Sequence, residues 1–133
     1  MSILRRNVSV KAVAALACAM IAVAGLLPVR TKARPREVVL VAKDMAFYMS
    51  GTNVANPEIT VRPGESIRVV LKNEDRGMTH DFSVPAVKAA TDSLTWNQKG
   101  EVTFEAPEKP GTYEYVCRPH VLMMKGALKV IRD

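Results

Sequence analysis

Residues 111–130 of the chain read GTYEYVCRPHVLMMKGALKV. Tyr113, Tyr115 and Cys117 occupy alternate positions, so they would share one face of a β-strand. Residues 127–131 are again mostly apolar and predict a last strand. Cys117, His120 and Met124 therefore lie in or beside a short loop that joins two predicted strands. The stretch therefore predicts a compact group of potential metal ligands at the end of a β-sheet.

The sequence upstream of this stretch also predicts strands. Short β-branched or aromatic runs alternate with Gly, Pro, Asn and Asp, and no convincing helical period follows the N-terminal segment. The predicted strands cover residues 38–41, 58–61, 66–72, 79–84, 100–105, 112–117 and 127–131. Residues 86–98 predict a loop with a short helix. This pattern is typical of an all-β fold, an antiparallel sandwich or a Greek-key barrel.

The N-terminal segment differs from the rest in charge. Residues 1–36 hold seven of the 19 basic residues and none of the 13 acidic ones, which leaves residues 37–133 at a net charge of −1. The net charge of +6 therefore belongs to the segment that precedes the domain. A near-neutral domain does not indicate nucleic acid as a partner.

The same segment contains an apolar run. Residues 12–27 are apolar or small throughout. This run is near the upper limit of a secretory signal, about 7–15 residues, and shorter than a membrane span of about 20. Ala22-Val23-Ala24 before Gly25 fits a cleavage site. We predict a signal peptide or membrane anchor at 1–24, a basic linker at 25–36 and a domain at 37–133, with residues 12–27 as the tether if the segment is retained.

Both alternatives place the domain in the periplasm or another extracytoplasmic space. The domain keeps one cysteine, Cys117, because the other, Cys18, lies in the apolar run. A single cysteine forms no disulfide within the domain, and an exported thiol is protected when it is buried or bound to a metal. This makes a metal-binding role for Cys117 a natural hypothesis.

The types of the potential ligand residues indicate which metal the predicted site binds. The chain has two histidines, His80 and His120, and one thiolate with two imidazoles suits copper in both oxidation states. A weakly held methionine sulfur, such as that of Met124, can complete the set. Zinc is the competing metal, but structural zinc takes four Cys or His ligands and methionine is a poor zinc ligand. We therefore predict one copper ion that cycles between Cu(I) and Cu(II).

The same residues resemble a known family. Residues 111–120 are similar to the ligand strand and loop of plastocyanins and amicyanins, and residues 120–130 resemble the end of azurins. Residues 57–65 and 79–82 resemble matching upstream segments of cupredoxins. The resemblance covers nearly all of the predicted domain. It implies a cupredoxin-like Greek-key fold and a type 1, or blue, copper site.

The resemblance also implies a role for each ligand. Cys117 would be the thiolate ligand, His80 and His120 the imidazole ligands and Met124 the axial thioether, with Met123 as the alternative axial residue. Asp81 departs from the family, in which Asn or Ser at that position links the ligand loops by hydrogen bonds. The departure leaves open whether this link exists here.

Two functions follow from these expectations. The first is electron transfer by a monomer between redox proteins, such as a c-type cytochrome and a terminal oxidase or reductase, with no enzymatic activity. The second is a periplasmic copper chaperone or store, for which the domain offers five methionines, at positions 45, 49, 78, 123 and 124. The methionines show no repeated spacing, so electron transfer is the preferred prediction.

Overall fold

The structure is a computed structural model, and it describes residues 32–132. The chain in this range forms nine strands and two short 3-10 helices. The strands are β1 (Arg36–Lys43), β2 (Ala46–Met49), β3 (Ile59–Val61), β4 (Ser66–Asn73), β5 (Ser83–Val84), β6 (Ala89–Ala90), β7 (Lys99–Glu105), β8 (Gly111–Val116) and β9 (Lys125–Val130). The 3-10 helices are Pro85–Val87 and Arg118–His120. Within this range, no helix has the length and apolar character to cross a membrane. The predicted signal or anchor, residues 1–24, lies outside the described residues.

The strands form two sheets, and the predicted all-β architecture is confirmed. One sheet has the order β2-β1-β4-β7 and the other β3-β9-β8-β5-β6. The sheets are mixed and not purely antiparallel as expected, because β1 pairs with β4 in parallel and β3 pairs with β9 in parallel. The parallel pair β1–β4 arises because the chain crosses to the other sheet for β3 before it returns.

Two predicted segments differ from the structure. The strand expected over residues 79–84 is reduced to β5, preceded by an isolated bridge between His80 and Leu94. Residues 86–98 contain part of a 3-10 helix and the two-residue strand β6, where a loop with a short helix was expected. In both segments regular pairing gives way to single contacts, such as the bridge between His80 and Leu94 and the hydrogen bond from the Phe82 amide to the Thr91 hydroxyl.

The core between the sheets is apolar and contains a cluster of three aromatic rings. Phe82 stacks on Tyr115 at 5.3 Å between ring centroids, and Phe47 packs edge-on against both, at 6.0 and 5.5 Å. Phe82 and Tyr115 are each two residues from a predicted ligand, His80 and Cys117, and all four side chains are fully buried. Because alternate residues of extended chain share a face, the rings form the layer of core next to the ligands.

A glycine leaves room for one of these rings. Gly126 in β9 lies opposite Tyr115 in β8, and a Cβ at Gly126 would be 2.3 Å from the Tyr115 ring. The ring has little freedom to move, because the Tyr115 hydroxyl donates a hydrogen bond to the Pro57 carbonyl at 2.5 Å. The position therefore requires a residue without a side chain.

We expect Gly126→Ala to lower the free energy of unfolding by about 1–3 kcal/mol, the usual cost of overpacking a core. Gly100→Ala is the matched control, because the contacts of its new methyl would be with the end of the Leu94 side chain, at 2.9 Å and beyond, and not with an aromatic ring. Urea denaturation measures both. Equal losses in the two variants would show that contact with the Tyr115 ring is not what excludes a side chain at Gly126.

Candidate metal centre

Three potential ligands meet at one end of the described domain. One donor atom each from His80, Cys117 and His120 lies within 4.8 Å of the others. The sulfur of Cys117 is 3.6 Å from Nδ1 of His80 and 3.6 Å from Nδ1 of His120. His80 and Cys117 are fully buried, while His120 is partly exposed. The arrangement thus has a closed side at His80 and an open side at His120.

The loop between β8 and β9 brings Cys117 and His120 together. The Cys117 amide donates to the Met124 carbonyl at 2.9 Å, which closes the loop at its base. Inside it, the His120 amide donates to the Cys117 carbonyl at 3.1 Å and the Met124 amide to the His120 carbonyl at 2.8 Å. Pro119 favours this tight helical turn because its φ angle is already fixed near the helical value.

His80 reaches the site from a different part of the chain. Its amide donates to the Leu94 carbonyl at 3.0 Å, and the Leu94 amide returns a bond to the His80 carbonyl at 2.8 Å. Its ring lies with Nδ1 toward Cys117 and with Nε2 2.8 Å from a carboxylate oxygen of Asp75. Asp75 carries no signal in the sequence, because it precedes His80 by five positions of irregular chain and only the fold shows that the two side chains meet.

The two candidate axial methionines differ in burial. Met124 is fully buried and belongs to the same core cluster as Cys117, whereas Met123 is 60% exposed. A buried thioether, in the residue whose carbonyl accepts the Cys117 amide, is better placed to serve as a weak ligand than an exposed one. The burial favours Met124, and its assignment as the axial ligand stays a prediction.

Asp81 does connect the ligand loops, which answers the question that its departure from the family raised. Its carboxylate accepts hydrogen bonds from the Arg118 amide and from Arg118 Nε, both at 2.8 Å. The Arg118 guanidinium also donates to the Thr91 carbonyl at 3.2 Å. Asp81 is 1% exposed, and Arg118 compensates the buried charge. An ion pair here takes the place of the neutral amide or hydroxyl link.

The environment of the buried Cys117 thiol favours its protonated form. Burial raises its pKa, and the nearby Asp81 carboxylate acts in the same direction. The amides of Asp81 and His120 and the charge of Arg118 oppose this rise without cancelling it. The free thiol therefore keeps its proton, and a metal that binds the sulfur displaces that proton.

These donors fit copper better than zinc. Two imidazole nitrogens each lie 3.6 Å from one sulfur, and a buried thioether, that of Met124, follows His120 by four positions in the sequence. Such a soft and mixed set suits copper, whereas zinc favours four thiolate or imidazole ligands. The described residues bring together His80, Cys117 and His120 as the sequence predicts.

The comparisons with known proteins agree with this fold. The chain matches the model of the cupredoxin-like domain family over residues 12–130 and belongs to that family. Its fold is similar to that of auracyanin B, with a TM-score of 0.62 and 23% identity over 77% of this chain and 94% of the other. Auracyanin A, a "blue" copper protein of Chloroflexus aurantiacus, gives a TM-score of 0.57 and 23% identity over 74% and 100%.

A copper enzyme shares the fold as well. The copper nitrite reductase of Nitrosomonas europaea gives a TM-score of 0.57 and 20% identity, over 73% of this chain and 41% of the other. No curated protein sequence matches the chain. Family membership and the grouped donors confirm the predicted cupredoxin fold and its copper cofactor. The roles of individual ligands stay predictions.

We expect Met124→Leu to retain the copper and raise its reduction potential. Loss of a weak donor destabilises Cu(II) more than Cu(I), and a tenfold shift in the ratio of the two forms corresponds to about 59 mV. Met123→Leu is the matched control and should change the potential much less, because Met123 is exposed. Spectroelectrochemical titration measures both variants. A large shift with Met123→Leu and none with Met124→Leu would reverse the axial assignment.

Proposed function

We propose that the chain is an exported type 1 copper protein that carries single electrons between redox partners. His80, Cys117, His120 and Met124 would hold one copper ion. The observation that carries this proposal is the convergence of the Cys117 sulfur with both imidazole Nδ1 atoms at 3.6 Å. Copper in such a set supplies a one-electron couple between Cu(I) and Cu(II).

The surrounding chain supports this proposal because it holds the donors in place. The hydrogen bonds of the ligand loop fix Cys117 and His120, and the bridge to Leu94 fixes His80. Ligands that are held by the fold move little when the charge of the metal changes. Small rearrangement favours rapid electron exchange, and this property suits a carrier.

The open side of the site supports docking to a redox partner. His120 is partly exposed, and the next three residues form an apolar surface: Val121 is 46% exposed, Leu122 89% and Met123 60%. Adjacent exposed apolar side chains of this kind mark interaction surfaces. A c-type cytochrome or a terminal oxidase or reductase is the partner class that we propose, with the carrier itself a monomer.

Copper storage or delivery is the alternative function, and the structure offers it less support. The thioether groups are dispersed: Met124 is buried in the core, whereas Met78 and Met123 are 37% and 60% exposed.

Electron transfer also fits the chain better than catalysis. Two histidines are too few for the additional copper sites of a multicopper oxidase. The activity of the nitrite reductase belongs to a longer protein, of which this chain matches 41%.

We expect the protein to bind one copper per chain, with an intense visible band from the Cys117 thiolate and reversible one-electron reduction. Cys117→Ser should abolish this band, because a serine oxygen is not a comparable soft donor. Absorption spectra at matched copper content, with far-ultraviolet circular dichroism as the control for folding, test this. The same band in the folded serine variant would refute the proposed site. Copper bound by the unaltered protein without the band would favour storage or delivery.

The export part of the proposal rests on the sequence of residues 1–27. We expect the exported protein to begin at or near Gly25 and to appear in the soluble fraction, because Ala22-Val23-Ala24 fits a cleavage site. Intact mass spectrometry and fractionation test this. An N-terminus at Met1 or Ser2, with release only by detergent, would instead show that the segment is a membrane anchor.

A further inference from the structure

A carboxylate lies behind the buried imidazole of the site. Oδ2 of Asp75 is 2.8 Å from Nε2 of His80, on the side of the ring away from Cys117. The His80 ring is fully buried and the Asp75 side chain is 16% exposed. The contact is therefore largely shielded from water, and water competes with it less than it would at the surface.

The contact determines where the proton of the imidazole lies. The carboxylate accepts hydrogen bonds, so the Nε2 atom of His80 carries the proton and donates it to Asp75. Nδ1 is then left with its lone pair directed toward the sulfur of Cys117. This is the tautomer that can bind a metal at Nδ1.

Asp75 is itself held in place by the turn between β1 and β2. Its carboxylate accepts bonds from the Asp44 amide at 2.8 Å and from the Met45 amide at 3.3 Å. Burial alone would raise the pKa of Asp75, but these amides and His80 together lower it, so the group stays charged. The Asp75 amide in turn donates to the side chain of Asn73 at 2.8 Å.

The turn adopts an unusual conformation that suits this role. Asp44 and Met45 have φ angles of 50° and 57°, the left-handed region that residues other than glycine seldom occupy. Both amides of the turn point toward Asp75. The hydrogen bonds to the carboxylate compensate part of the cost of this conformation. The first hairpin of one sheet is thereby connected to a predicted ligand beside the other sheet.

We propose that Asp75 is a positioning residue, which holds His80 as the Nε2–H tautomer and makes its Nδ1 a stronger donor to the copper. The inference rests on the proposed copper site. A carboxylate that accepts a hydrogen bond from the imidazole N–H increases the basicity of the other ring nitrogen, as it does behind histidine ligands of zinc. A stronger donor stabilises Cu(II) more than Cu(I), so Asp75 lowers the reduction potential.

The test compares Asp75→Asn with Asp44→Asn in the full chain loaded with copper. Asp75→Asn removes the charge in contact with His80. Asp44→Asn removes a charge from the adjacent turn, but it keeps the backbone amide that binds Asp75, and Asn tolerates the left-handed conformation. The two variants therefore separate the contact from a general change in charge.

We expect Asp75→Asn to shift the ratio of Cu(I) to Cu(II) at a fixed applied potential about tenfold toward Cu(I). This shift corresponds to an increase of about 59 mV in the reduction potential. Asp44→Asn should shift it far less. Spectroelectrochemical titration measures both. Equal shifts in the two variants, or no shift in Asp75→Asn, would overturn the proposal.

A second measurement needs neither a variant nor copper. Nitrogen-15 NMR of the copper-free protein should show a proton on Nε2 of His80 that exchanges slowly with water. An Nδ1–H tautomer would overturn the positioning role even if Asp75→Asn fails to fold. If the loaded protein shows no thiolate band while NMR finds the expected tautomer, the proposed copper function fails and the contact of Asp75 with His80 stands.

Discussion

The hydrogen bond from the Cys117 amide to the Met124 carbonyl, 2.9 Å long, is the constraint on which the site depends. It continues the ladder of β8 and β9 by one step beyond their last pair, Val116 and Lys125. Everything between its two ends must form a compact loop. Three of the four predicted ligands therefore come from eight consecutive residues, and their positions follow from the pairing of two strands.

This local origin explains why the site could be predicted from the sequence. Cys117, His120 and Met124 are close together along the chain, and His80 is the one further histidine. Alternation of apolar residues likewise predicted most strands. The parallel pairing of β1 with β4 could not be predicted in this way, because it joins segments about thirty residues apart and depends on which sheet β3 enters. Periodicity indicates which residues share a face of a strand, but not which strand is the neighbour.

The supporting side chains could not be predicted for a related reason. Asp75 and Asp81 are ordinary acidic residues in the sequence, and their roles depend on contacts made by the folded chain. Asp81 is neutralised by Arg118, which lies 37 positions away. Asp75 is stabilised mainly by backbone amides of a turn about thirty positions away. Backbone amides have no signal in the sequence, so only the structure reveals this second kind of partner.

The two carboxylates support the two sides of the site differently. Asp81 acts on the ligand loop, and its charge is offset by Arg118, whose side chain is 55% exposed. Asp75 contacts the imidazole ring of His80 directly, on the closed side of the site, where that ring is fully buried. His120, on the open side, is partly exposed and followed by apolar residues. Under the proposed function, the contact of Asp75 with His80 would adjust the reduction potential of the copper, while the partly exposed His120 would face the redox partner. Changes at the docking surface could then alter partner choice without altering the buried contact between Asp75 and His80.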